Sequence, residues 1–408
     1  MNDLILQIND LYSDKELFNK LLILPEYNHN VKSKKERLLS LLDVYKIFIP
    51  TKSTVEVYNQ LYLSLLSSLE KKETLDEVKL INDNFRSMKG YKRYGVIGGL
   101  ESFKITGTAG LGKTSTIQRC IDLISEDKII ITKNGREIIP ILFVECVADG
   151  SFKGLLFSIL QAIDNKLGTN HFTMNKKPTI TIDILLNVVS NLLIKHVAVL
   201  IIDEMERVAN DSRKGETLIN YLTQLVNQSN ISICFVGNES SNKFFETKEY
   251  LGRRTIGYSI KKFDYDEEYY NFLSVLFNYQ YLDNKIELNG EVARELFRFS
   301  NGIPSMIIGL FVEVQKKMIL SDIKKFSIDL FEEVYKRCFS NMMNFIDDKK
   351  VIINQNVENE STSHFNSCPI KMPNLFQKMR CGSNMEPNDL IKELSKYIKV
   401  EFVELWKY

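Results

Sequence analysis

Three stretches of this chain, 140–146, 197–204 and 231–238, are nearly unbroken apolar runs of strand length, and the shorter 103–106 reads as a buried strand beside them. Continuous runs, as opposed to alternating ones, mark strands buried on both faces of a parallel sheet. Between them the period changes. Residues 115–121 read as the first turns of a helix, and 155–167 repeat apolar positions at three- and four-residue spacing, as amphipathic helices do. A further strand pattern covers 258–263. Strand and helix patterns thus alternate from about 91 to about 262. That alternation predicts an α/β fold: a doubly wound parallel sheet in three layers, with helices on both faces.

The flanks read differently. Residues 1–90 are helical in pattern: Arg37, Leu38, Leu39, Ser40, Leu41 and Leu42 lead to Phe48, Ile49 and Pro50, and 55–69 keep helical spacing. Residues 263–340 hold no strand pattern and read as a helical lid, with helices around 269–277, 290–299, 303–318 and 328–337. Residues 341–408 are rich in Asn and Ser and poor in apolar side chains, the composition of a tether, until the last stretch. There Pro387, Asn388 and Asp389 signal a helix start. Leu390, Ile391, Leu394, Ile398, Phe402 and Leu405 then form an apolar stripe ending in Trp406 and Tyr408. A capped amphipathic helix on a tether is the form of a helix-in-groove ligand, and equally of a helix that folds back on its own lid. The expected division is therefore 1–90, 91–262, 263–340 and 341–408.

Chemistry enters at the first strand. Gly107, Thr108, Ala109, Gly110, Leu111, Gly112, Lys113 and Thr114 fit G-x-x-x-x-G-K-[ST], with a strand before and a helix, beginning at Ser115, after. Three glycines let backbone N–H groups wrap a polyphosphate, and the helix N-terminus adds partial positive charge. Lys113 is expected to reach the β- and γ-phosphates, and the Thr114 hydroxyl to take a Mg²⁺ coordination site. The run 197–204 ends in Asp203 and Glu204. Ligands sit at the carboxyl ends of parallel strands, so Asp203 is placed for the Mg²⁺ shell and Glu204 to orient or deprotonate water. Asn238 follows the strand 231–236 and suits a γ-phosphate sensor, or a simple turn. Arg253 and Arg254 sit between Gly252 and Gly257. They suit a finger reaching a neighbour's nucleotide, which would require a ring or filament, or ordinary surface ion pairs.

Composition narrows the class. The chain has 408 residues, 44% hydrophobic, with a net charge of +1, so any nucleic-acid surface must be a local patch and not a global field. No apolar run approaches a membrane span, and Met1, Asn2, Asp3 and Leu4 open no signal peptide, so a cytoplasmic, non-membrane protein is expected. The six cysteines form no C-x-x-C pair and the four histidines are scattered, which argues against a zinc site and for a reducing compartment.

Taken together these residues resemble the AAA+ superfamily, and within it the TnsC/TniB class of transposition ATPases, over roughly residues 35–320. Besides the phosphate loop, the resemblance is carried by Arg37 to Pro50 with Lys89, Gly90, Tyr91, Lys92 and Arg93. It continues in Asp149, Gly150, Ser151, Phe152, Lys153, Gly154 and Leu155 with Asp164, Asn165, Lys166, Leu167, Gly168 and Thr169. It ends in Leu200, Ile201, Ile202, Asp203, Glu204, Met205 and Glu206, running on through Leu225, Val226, Asn227, Phe235, Val236, Gly237, Asn238, Glu239, Arg253 and Arg254. The resemblance implies a protein that binds ATP with Mg²⁺, assembles on double-stranded DNA as a ring or filament, marks target DNA, and links a target-selector protein to transposase subunits. Carried over by position, Gly107 through Ser115 bind nucleotide, and Thr114 and Asp203 bind metal. Glu204, Asn238 and Arg253 or Arg254 serve catalysis, and Lys153 and Lys166 face DNA. One departure stands out: Ser305 follows Gly302, Ile303 and Pro304 where many relatives place a second-sensor arginine. Two other readings remain: another AAA+ enzyme with the same engine, such as a helicase loader or an origin-recognition-like initiator, and a nucleotide-switched defence scaffold in which nucleotide exchange matters more than hydrolysis.

Overall fold

The computed structural model describes residues 3–27, 33–73, 102–126, 128–148, 150–209, 215–229, 231–241 and 255–339. The tail 341–408, Arg253, Arg254, Asp149 and residues 89–93 lie outside the described residues.

Six strands form one sheet: β1 (Ser102–Thr106), β2 (Ile130–Ile131), β3 (Glu137–Glu145), β4 (Val197–Asp203), β5 (Ser232–Gly237) and β6 (Thr255–Ser259). Their order is β2-β3-β4-β5-β1-β6, parallel throughout except for the β2–β3 pair at the edge. The chain leaves β1 for β3, returns strand by strand to β5 beside β1, then crosses to β6. Such a reversal of direction beside the first strand opens a crevice at the carboxyl ends. The register puts Thr106 beside Gly237 and Glu145 beside Asp203, so the segments that begin at Gly107, Glu204 and Asn238 start on one rim.

The apolar runs are continuous because both faces of the sheet are covered. Along β4, Val197, Leu200 and Ile202 enter one core and Ala198, Val199 and Ile201 the other. In β5, Ile233 and Phe235 face the first core, Cys234 and Val236 the second. The first core is closed by helices Phe152–Leu167, Ile182–His196 and Gly215–Ser229. The second is closed by Lys113–Ser125 and by the N-terminal helices Asp14–Leu21 and Lys52–Glu73. The fold is thus the expected three-layer α/β arrangement. Helices begin where side-chain caps relieve the free backbone donors: Ser151 accepts from Gly154 N, Thr181 from Ile184 N, Asp266 from Tyr269 N and Asn289 from Val292 N.

The third core belongs to the lid helices Glu267–Leu276, Gly290–Ser300, Pro304–Leu320 and Asp329–Cys338, and no strand occurs among the described residues after Ser259. Leu41, Val44 and Ile47 from near the N-terminus join this core, so the N-terminal segments divide their apolar side chains between lid and sheet. The expected strand 258–263 begins and ends earlier, at Thr255–Ser259. Ile260 N still bonds Thr106 O (2.8 Å), but Phe263 N turns to Gly302 O (2.9 Å), and the buried Phe263 ring enters the lid core. Burial of that aromatic ring in the lid outweighs continuation of an edge strand.

Candidate functional site

The phosphate loop connects β1 to the helix Lys113–Ser125. Gly110 and Gly112 hold φ of 85° and 80°, the left-handed region that favours glycine. Gly107 is needed for a different reason: a Cβ there would stand 2.5 Å from Ile260 O. Leu111 is 7% exposed and packs into the same core as Ile117, which anchors the loop from below. Thr108, Ala109 and Gly110 are exposed, as are Thr114 and Ser115 in the first turn. Gly112 caps the helix with no side-chain hydrogen bond, and the first turn holds no acidic residue. The partial positive charge of the helix start is therefore left to an outside anion. Lys113 Nζ folds over the loop, donating to Gly107 O (2.8 Å) and Thr108 O (3.1 Å).

At the end of β4, Asp203 is 2% exposed and holds three hydrogen bonds. Its Oδ2 accepts from Thr114 Oγ1 at 2.6 Å, its Oδ1 from Glu204 N at 2.8 Å, and its carbonyl from Cys146 N at 3.0 Å. Thr114 and Asp203, far apart in sequence, thus meet. A hydroxyl and a carboxylate, both hard oxygen donors, fit Mg²⁺, which keeps several waters and rides on phosphate oxygens. No group of three or more His, Cys, Asp or Glu that could hold a metal ion occurs among the described residues.

Glu204 has φ of 59°, a conformation that costs a non-glycine residue about 1–2 kcal/mol. Its N–H is tied to Asp203 Oδ1, and its carbonyl accepts from Arg207 N (3.0 Å). Burial pushes the Glu204 carboxyl above the usual range, and the charges of Glu206 and Asp203 add to this, against Arg207 and Lys113. Arg207 Nε lies 3.6 Å from Glu204 Oε2, while its guanidinium also donates to Cys146 O (2.8 Å). The end of β4 thus carries a half-buried carboxyl of raised pKa on a backbone of positive φ, features that occur at functional sites as well as in structural ion-pair networks.

Asn238 stands at the end of β5, half-buried. Its N–H donates to Glu206 Oε2 (3.2 Å), and its carbonyl accepts from Ser241 Oγ (2.5 Å) and Ser241 N (3.1 Å). The lid touches the phosphate loop directly: Ser305 N, at the start of Pro304–Leu320, donates to Gly110 O at 3.2 Å. A Cβ on Gly110 would lie 2.3 Å from Ser305 Oγ. Here lid and loop are joined through backbone.

The other sequence candidates are elsewhere. Lys153 Nζ is partly buried and donates to Ile180 O (2.8 Å). Lys166 is exposed in the last turn of Phe152–Leu167. Arg253 and Arg254 lie outside the described residues. The structure adds Arg207 and Ser241 as neighbours of the site, and it gives Glu206 and Ser305 contacts there. Glu206 and Arg207 had a signal, a charge of each sign within one turn of Asp203; Ser241 had none.

Residues 100–245, rather more than a third of the chain, match the model of a family described as the AAA domain. No curated protein matches this chain. Similar solved structures include the Aeropyrum pernix ORC1 protein in complex with DNA, at 13% identity over 91% of this chain and 85% of that chain, TM-score 0.43. Drosophila ORC bound to DNA gives 10% identity, 94% and 90% coverage and a TM-score of 0.44. The Aeropyrum pernix ORC2 protein in its ADP form gives 16% identity, covers 63% of this chain and 66% of that chain, and has a TM-score of 0.40. At these identities and scores the likenesses assign no activity to this chain. The matched stretch holds the phosphate loop, Asp203, Glu204 and Asn238, and together with the sheet order it gives this chain an AAA-type nucleotide-binding domain in a three-layer AAA+ fold.

Proposed function

We propose that this chain is an ATPase that assembles on double-stranded DNA and regulates transposition, with hydrolysis controlling disassembly. The observation that carries the ATPase reading is the 2.6 Å bond between Thr114 Oγ1 and Asp203 Oδ2, which joins the phosphate loop to the acidic strand end. In this reading Lys113 leaves its loop carbonyls for the β- and γ-phosphates. Thr114 and Asp203 hold Mg²⁺, which when bound neutralises phosphate charge. Glu204 takes the proton of the attacking water, and Asn238 orients that water against the γ-phosphate. Arg253 or Arg254 of a neighbouring subunit steadies the charge of the phosphoryl group in flight. Lys153 and Lys166 supply DNA phosphate contacts, Lys153 on exchanging its bond to Ile180 O. The resemblance over roughly 35–320 supports the transposition part: marking target DNA and linking a selector to the transposase.

Electron microscopy of the full chain with duplex DNA and a non-hydrolysable ATP analogue tests this. The expected result is a ring or filament on DNA, with nucleotide at subunit interfaces beside Arg253 or Arg254 and an ATPase rate that climbs with protein concentration. A monomer under every condition, hydrolysing ATP at a concentration-independent rate, overturns the assembly reading. Strand-transfer assays with the transposase separate transposition from an initiator-like or helicase-loading role: no stimulation, together with intact assembly, turns the reading to the latter.

A further inference from the structure

The ladder between β4 and β5 stops short of the rim. Its last pair is Ile202 with Phe235, so Asp203 and Glu204 on one side and Gly237 and Asn238 on the other extend past it. On its other side β5 stays paired to β1 as far as Gly237, opposite Thr106. The two strand ends that carry the proposed base and the proposed sensor are therefore not fixed to each other by sheet hydrogen bonds where they enter the crevice.

One side chain spans that opening. Glu206, in the turn of helix that follows β4, places Oε2 3.2 Å from Asn238 N. A carboxylate accepting a backbone N–H makes a charge-assisted bond, stronger than a neutral one. From the other side Ser241 accounts for the Asn238 carbonyl through Oγ (2.5 Å) and N (3.1 Å). Gly237 leaves the room for both: a Cβ there would stand 2.7 Å from Ser241 Oγ and 3.0 Å from Glu206 Oε2. Both backbone polar groups of Asn238 are thus held, one of them by the β4 side of the crevice.

We propose that Glu206 is a positioning residue that sets Asn238 relative to Glu204, with Gly237 required so that the Glu206 carboxylate can reach across. This rests on the reading of Asn238 as a sensor that acts in hydrolysis. Glu206 acts as a hydrogen-bond acceptor, not as a proton carrier or a metal ligand.

The test measures kcat and KM for ATP, and the affinity for a fluorescent ATP analogue, on the full chain carrying Asn238→Ala, Glu206→Ala, Glu206→Gln or Gly237→Ala. Asn238→Ala is expected to lower kcat with binding retained. Glu206→Ala is expected to lower kcat about tenfold or more, toward the ~10²-fold that a 1 Å misplacement costs, with KM and analogue affinity unchanged. Glu206→Gln keeps an acceptor oxygen and should recover most of that loss. Gly237→Ala puts a methyl between the two partners and should match Glu206→Ala. A drop for Asn238→Ala with parental kcat for both Glu206→Ala and Gly237→Ala overturns the positioning role and leaves the sensor standing. Parental kcat for Asn238→Ala overturns the sensor reading itself. Equal losses for Glu206→Gln and Glu206→Ala also overturn the proposal, since charge and not the acceptor would then be at work. If Glu206→Ala does not fold, the remaining pair decides: a low kcat for Gly237→Ala beside a near-parental kcat for Glu206→Gln supports the positioning role, and any other pattern overturns it.

Discussion

The phosphate loop and the β4–β5 strand ends stand on one rim of the sheet but are built by opposite means. The loop is a backbone structure. Its shape depends on two left-handed glycines, on a third that touches Ile260 O, and on Leu111 pinned in the core. The strand ends form a side-chain structure. Glu206 and Ser241 hold the backbone of Asn238, Arg207 reaches Cys146 O, and Glu204, at a φ of 59°, gives its N–H to Asp203 Oδ1. A backbone site accepts almost no substitution at its glycines. A side-chain site takes conservative changes and depends on everything that aligns the strands. Binding is thus expected to reside in the loop, and reaction at the strand ends.

The largest effect should separate the two. Glu204→Gln removes the proposed base but keeps the shape, so hydrolysis should slow by roughly 10²–10⁴ while affinity for the nucleotide analogue persists. Single-turnover hydrolysis beside equilibrium binding reads this; a parental rate in the presence of DNA means that Glu204 does not activate water.

A smaller effect comes from the loop. Gly110→Ala forces a side chain to a φ of 85°, at about 1–2 kcal/mol, and drives a methyl into Ser305 Oγ. Analogue affinity should fall and the lid should loosen, read as faster proteolysis or hydrogen exchange in Pro304–Leu320. If affinity holds and only kcat changes, binding does not reside in the loop as described, and the contrast fails.

The smallest effect lies outside both regions. Lys153→Ala should weaken binding to all duplexes alike and lower the slope of log affinity against log salt by about one, with nucleotide binding unchanged. An unchanged slope would leave Lys153 with the structural role its bond to Ile180 O already describes.

How much of this was legible in the sequence depended on how each feature is encoded. The parallel sheet was legible because strands buried on both faces are apolar nearly throughout, as β4 is up to Asp203 and β5 is after Ser232. The phosphate loop was legible because its backbone constraints are written as glycines at set spacing. Asp203 and Glu204 were legible by position, at the end of such a strand. The end of β6 was not, because nothing in Ile260, Lys261, Lys262 and Phe263 tells an edge strand from a turn whose Phe263 belongs to the lid core. The fate of the N-terminal helices was hidden too. Their amphipathic stripes announce that a face will be buried, but not that Leu41, Val44 and Ile47 go to the lid while Val57, Leu61 and Leu65 go to the sheet.

By itself the sequence determined the local elements, the α/β class and the chemical identity of the loop, since each follows from periodicity or from residues whose conformations are restricted. Only the tertiary structure decided that Thr114 meets Asp203, that Ser305 meets Gly110, and that Glu206 crosses to Asn238 where the ladder has ended. Those contacts join residues far apart along the chain. Their geometry comes from strand order and register, which side-chain pattern along one segment does not encode.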